Sequence, residues 1–155
     1  MLPSTTARVP LHTNDTYNQA IRRQTEENVA RCAAAGPEAI ERRLAELDQE
    51  WDIERILEAN AASVSLIGVA LAALVDRRFL IVPGLVAGFL LQHALQGWCP
   101  PVPFFRRLGV RTQSEIDHER YALKAIRGDF RDLPIANDGK TRTAVRRALR
   151  ATRDQ

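Results

Sequence analysis

Cys99 is the side chain of this sequence whose surroundings suit chemistry best. It stands in the run Trp98-Cys99-Pro100-Pro101, with Arg106 and Arg107 a few residues further on. The thiolate is the reactive form of cysteine, and nearby guanidinium groups favour it. The C-terminal end of a helix carries partial negative charge and works the other way. The residues therefore leave two readings open, an inert packed thiol or one that handles redox equivalents or sulfur. Cys32, in the alanine-rich run Arg31-Cys32-Ala33-Ala34-Ala35, reads as packing. Two cysteines make no disulfide framework of the secreted kind.

His93 is the second suspect, since it lies five residues before Trp98 in a stretch with no fixed charge. Ionisable groups inside apolar segments mark proton, ligand or metal roles by default. The structural alternative is a neutral imidazole hydrogen-bonded to Gln96 or to a backbone carbonyl. With no second His, Asp or Glu near it in the segment, no metal or cofactor is expected of one chain alone. Gln92 and Gln96 share an i, i+4 row with Gly84 and Gly88. Small residues let helices approach closely, and amides in hydrocarbon seek partners across the contact at about 0.6–2 kcal/mol each. Gly68 and Ala72 offer a similar small face upstream. These residues read as a helix interface, either within one chain or between two copies.

Two apolar segments must position all of them. The whole chain of 155 residues has an unremarkable mean hydropathy of −0.25 and 26% charged residues. That average hides an uneven distribution, because from Ala61 to Trp98 the only formal charges are Asp76, Arg77 and Arg78. Residues 59–75 and 79–98 are each near the roughly 20 residues that a membrane span requires. The flanking helices are too few to coat such a hairpin in water, so a soluble helical interaction protein is the lesser alternative. Pro83 falls in the first turn of the second segment, where a missing N–H does little harm. Trp98 closes it, as aromatic residues do at the headgroup level.

The fold class expected is all-α, a two-span transmembrane hairpin with flanking cytoplasmic amphipathic helices. Residues 1–15 read as a mobile tail and 16–58 as a cytoplasmic helical region. Residues 59–98 are the hairpin, 99–128 a proline-rich segment followed by a helix, and 129–155 a linker and basic tail. Gly36-Pro37 separates a helix over 16–35 from one running to about residue 58. On that second helix Ile40, Leu44, Leu47 and Trp51 form one stripe, for a neighbouring helix or for the membrane interface. The prolines after Cys99 argue against helix there for several residues. Thr112 and Glu115 then have capping-box spacing, opening a helix that Gly128 ends.

Arg42, Arg43 and Arg55 before the hairpin, with Arg106, Arg107 and Arg111 after it, outnumber Arg77 and Arg78 in its turn. The bias places both termini in the cytoplasm of a bacterial inner membrane. Arg77, Arg78, Arg106 and Arg107 are the expected membrane-surface anchors, with Trp98. The polar first 17 residues lack a signal-peptide layout, so the first span reads as an internal anchor. Lys140, Arg142, Arg146, Arg147, Arg150 and Arg153 form a basic stretch suited to anionic lipid headgroups or to water. Without aromatic interleaving it does not point to nucleic acid.

From Gln92-His93-Ala94-Leu95-Gln96-Gly97-Trp98-Cys99-Pro100-Pro101, through Phe105-Arg106-Arg107-Leu108-Gly109, to Glu119-Arg120-Tyr121-Ala122-Leu123-Lys124, the chain resembles the YgaP-like inner-membrane family. The resemblance spans roughly residues 55–130. It implies a hairpin that anchors in the membrane and can dimerise, and it marks Cys99 as a site for persulfide or a sulfur anion. Some members of the family join the hairpin to a rhodanese domain. Here Cys32 is followed by Ala33-Ala34-Ala35-Gly36 rather than a basic, glycine-containing loop, so sulfurtransferase activity is not expected. With no catalytic motif, the expectation is a non-enzymatic scaffold or accessory subunit. Its partners would be the bilayer, a second copy and a larger membrane complex, with sulfur handling through Cys99 as the alternative.

Overall fold

The computed structural model describes residues 3–131 together with residues 145, 146, 148, 149 and 152. It is 79% helical, with no strand among the described residues. The helices are α1 (Arg8–Leu11), α2 (Asp15–Ala35), α3 (Pro37–Gln49), α4 (Ile53–Leu74), α5 (Ile81–Gln96), α6 (Val102–Arg107) and α7 (Gln113–Arg127), with a 3-10 turn at Arg77–Leu80. They form two compact units, one of Met1–Arg23 with Trp51–Glu115, the other of Gln24–Glu50 with Ile116–Gln155.

The first unit is built on α4 and α5. Asp52 starts α4 by accepting from the Arg55 backbone N–H at 3.0 Å. Asp76 performs the same service for the 3-10 turn, taking the Arg78 N–H at 2.7 Å. Pro83 sits in the first turn of α5, and Gly97 ends the helix at φ +78°, its N–H bonded to the His93 carbonyl. One narrow line of α4 is inward: Ile53, Leu57 and Gly68 are buried, and Ala61, Ser65 and Ala72 half-buried. Against it stand Val82 and Pro83, so close that a Cβ added at Gly68 would lie 2.8 Å from the Pro83 ring.

The remaining faces are apolar and bare. Leu66 is 72% exposed, Leu74 85% and Leu91 63%. Only 11% and 6% of the residues in the two apolar windows are buried. A soluble core helix of that composition would be mostly covered. Both helices are long and apolar enough to cross a membrane.

At the end of the hairpin away from its turn, Val9, Ile53, Leu57, Cys99 and Val102 form a buried cluster backed by Phe105 and Val110. Two expectations change here. Within the expected tail, the described residues 3–15 are not free, because residues 8–11 make a helical turn whose Val9 is 2% exposed. The proline run is not helix-free either. Helix α6 begins at Val102 with Pro103 in its first turn, where a proline displaces no hydrogen bond.

In the second unit, Gly36 at φ +94° and Pro37 turn α2 into α3. Cys32, Ile40, Leu44, Leu47, Ile116 and Leu123 form its core, with Val29 packed alongside, and Cys32 is packing as expected. The helix expected to reach residue 58 instead stops at Gln49, because the Asp52 cap starts a new one. Trp51 thereby leaves the stripe. It is 47% exposed, with the Arg55 guanidinium 4.3 Å from its ring centroid. Buried charges in this unit are paired: Arg43 with Glu119 at 2.7 Å, and Arg120 with Asp48 at 2.8 Å.

The capping box forms as its spacing suggests. The Thr112 N–H donates to Glu115 Oε2 at 2.8 Å, and the Glu115 N–H to Thr112 Oγ1 at 3.3 Å. Helix α7 ends before Gly128, whose φ is +94°. In the basic stretch, Lys140, Arg142, Arg147, Arg150 and Arg153 lie outside the described residues, and Arg146 is helical and exposed.

Candidate functional site

The polar groups of the first unit gather where α4 begins and α5 ends. His93, buried on α5, places its Nε2 2.7 Å from Glu54 Oε2. Arg8 donates through Nη2 to the other Glu54 oxygen at 2.8 Å, and through Nη1 to the Ala94 carbonyl at 3.0 Å. That carbonyl belongs to the last turn of α5, where backbone acceptors lack helical partners. The partner of His93 is thus a carboxylate from the other helix, not Gln96 or a backbone carbonyl. A carboxylate only accepts, so the neutral ring donates from Nε2 and keeps its lone pair on Nδ1. Nδ1 is buried and has no partner. The His93 hydrogen bond, helped by Arg8, holds the Glu54 carboxyl below its usual 4.5 against burial, which pushes it up.

Cys99 is 3% exposed. Burial pushes its thiol above the usual 9.0, the Val102 backbone partly opposes that, and the Glu54 charge adds to it. The resting side chain is therefore a thiol, not a thiolate. The two arginines expected to lower it do not do so. Arg106 is 1% exposed and turned inward, with Nη1 and Nη2 on the two Glu115 oxygens at 2.6 and 2.8 Å. Its remaining bonds go to Asn18 Oδ1 at 2.9 Å and the Val110 carbonyl at 3.0 Å. A guanidinium so enclosed is no surface anchor. Arg107, Arg77 and Arg78 are exposed and Trp98 half-buried, positions open to that role.

Cys99 also lines a cavity of about 280 Å³ between the helices, with Leu57, Asn60, Val86, Leu90 and Phe105 among its walls. Its lining is almost wholly apolar, so it offers no set of groups for acid–base work. No group of three His, Cys, Asp or Glu residues is placed to hold a metal among the described residues.

The four small residues separate. Gly68 is the tight contact inside the hairpin, with half-buried Ala72 on the same line. Gly84 and Gly88 face away from it, and a Cβ at either would meet nothing within 4 Å. Gln96 is exposed and Gln92 half-buried.

Sequence reading missed Arg8 and Glu54, which lie 86 and 39 residues from their partners on α5. No local spacing encodes such a pairing. The one available signal is an acid in the first turn of a helix whose later turns are apolar. No known family matches this chain, and no curated protein or solved structure matches it either.

Proposed function

We propose that this protein crosses a bacterial inner membrane twice through α4 and α5, with both termini in the cytoplasm. There it acts as a non-enzymatic, self-associating scaffold or accessory subunit. The observation that carries this reading is the bareness of the apolar helices, since so few residues of either window are covered by the chain itself. Apolar surface in water costs about 25 cal/mol per Å², and a bilayer removes that cost. The 16 residues of α5 cover about 24 Å at 1.5 Å per residue, and the 3-10 turn Arg77–Leu80 extends them towards the roughly 30 Å of a hydrocarbon core. The arginine count on either side of the hairpin supports the orientation. The protein should stay with the membrane pellet through alkaline carbonate extraction. Release into the supernatant would favour a soluble helical protein and remove the basis of this reading.

Self-association rests on the outward Gly84–Gly88 edge of α5, where a second helix can approach closely and exposed Gln96 can find a partner. Replacing both glycines with leucine is expected to abolish a crosslinked dimer. The monomer should be unharmed, because the added side chains meet open space. A dimer that persists at the wild-type level would exclude this face. Sulfur handling by Cys99, which the YgaP-like resemblance suggests, is the weaker reading, because the resting thiol is protonated and buried.

A further inference from the structure

Residues 4–13 form a strap over the end of the hairpin, held by charge as well as by packing. Arg8 spans both helices, binding Glu54 of α4 at 2.8 Å and the Ala94 carbonyl of α5 at 3.0 Å. The strap backbone presses on Gly97, where a Cβ would fall 2.5 Å from the Arg8 carbonyl carbon. Beneath it Val9 packs in the cluster that contains Ile53, Leu57 and Cys99. The strap is closed on itself by Thr13 Oγ1 donating to the Val9 carbonyl at 2.8 Å, and by Asn18 Nδ2 donating to the Pro10 carbonyl at 3.0 Å.

We propose that Arg8, Glu54 and His93 form a proton-operated latch, in which protonation of His93 frees the 4–13 strap and uncovers Ile53, Leu57 and Cys99. With His93 neutral, the cluster holds one cation and one anion and each Glu54 oxygen has one donor, so the charges balance, while the buried Arg8 Nε has no partner. An added proton must go to Nδ1, the free ring nitrogen. That nitrogen is buried with no partner, so the new N–H is an unsatisfied donor, an arrangement that destabilises the closed state. It also sets two cations on a single carboxylate. Of the two, Arg8 is the one able to leave. Its side chain is 21% exposed on a single helical turn, whereas that of His93 is 5% exposed on a long helix.

The groups in this cluster are Arg8 from α1, Glu54 from α4 and, within reach of Glu54, the Cys99 thiol from the loop after α5. Glu54 is held below its usual value and stays a carboxylate, while Cys99 is pushed up and stays a thiol. His93 is the member whose free ring nitrogen can take a proton. The latch needs neither the bilayer nor a second copy, so it stands apart from the proposed function.

Hydrogen exchange on the purified full chain tests it, with protection of residues 4–13 corrected for the intrinsic pH dependence of amide exchange. Every protein carries His12→Gln, so the strap's own exposed histidine cannot supply the response. Strap protection is expected to fall about tenfold from pH 8 to pH 5, the signature of local opening, while residues 53–96 stay protected. His93→Gln, whose amide can donate to Glu54 but takes no proton, should keep the strap closed at both pH values. Arg8→Gln should leave it open at both. A strap equally protected at pH 8 and 5 overturns the latch. So does a His93→Gln strap that loosens as the parent does, or an Arg8→Gln strap as protected as the parent at pH 8.

Discussion

Replacing Glu115 with alanine is expected to cost about 3–5 kcal/mol, the usual penalty for stranding one half of a buried ion pair. Arg106 is 1% exposed, and both of its terminal nitrogens bind the Glu115 carboxylate, at 2.6 and 2.8 Å. Asn18 and the Val110 carbonyl would remain, but neither carries compensating charge. The same substitution removes the acceptor for the Thr112 N–H and with it half of the capping box that opens α7. For a chain of this size the loss corresponds to a fall in Tm of roughly 10 °C, measurable by thermal unfolding. Replacing both partners with apolar residues, Arg106→Met with Glu115→Leu, should restore most of it, since no lone charge is left. An unchanged Tm for Glu115→Ala would mean that Arg106 does not depend on this carboxylate.

Acid should act on the same pair. Burial alone would raise the Glu115 pKa, yet the Arg106 hydrogen bonds and the Thr112 backbone hold it below its usual 4.5. A carboxyl depressed in the folded state contributes stability that is complete above its unfolded value. That contribution disappears as pH falls through the folded one. Glu115→Ala should therefore narrow its stability gap to the parent below about pH 4.5.

Gly68→Leu is expected to disrupt the hairpin itself. A Cβ at this position lies 2.8 Å from Pro83 Cδ and 3.0 Å from Val82 Cβ, before the rest of the leucine is placed. Overpacking of this kind costs about 1–3 kcal/mol, and the rigid proline ring offers little relief. Gly84→Leu makes the same chemical change where nothing stands within 4 Å, so it should leave the hairpin's unfolding temperature alone. If the two variants unfold alike, α4 and α5 do not pack on this face.

Where a pattern is local, the residues announce it. Ile40, Leu44 and Leu47 recur at helical spacing and are the buried stripe of α3. Thr112 and Glu115 are three apart and close the box. Trp51 has the spacing to extend the stripe but not the backbone, because Asp52 begins a new helix just after it. Arg106 shows the limit of reading charge as surface. Composition suggests an anchor, whereas Asn18 and Glu115 draw it inside from positions 88 and 9 residues away. The Arg8–Glu54–His93 cluster was beyond reach for the same reason. Its three members come from three elements that only the folded hairpin brings together.

The brevity of the link between α4 and α5 bears on how the protein is made. Residues 75–80 carry Asp76, Arg77 and Arg78, and the Asp76 cap ties them into a compact 3-10 turn. In the proposed bilayer setting so short a link cannot pause on the near side while one helix enters, so both helices must be delivered together. In that setting each of the three charges would cost about 2.5–3.5 kcal/mol at mid-membrane on the insertion scale. There the same cost would oppose return, so the charged turn would act as a barrier that keeps the inserted pair in place.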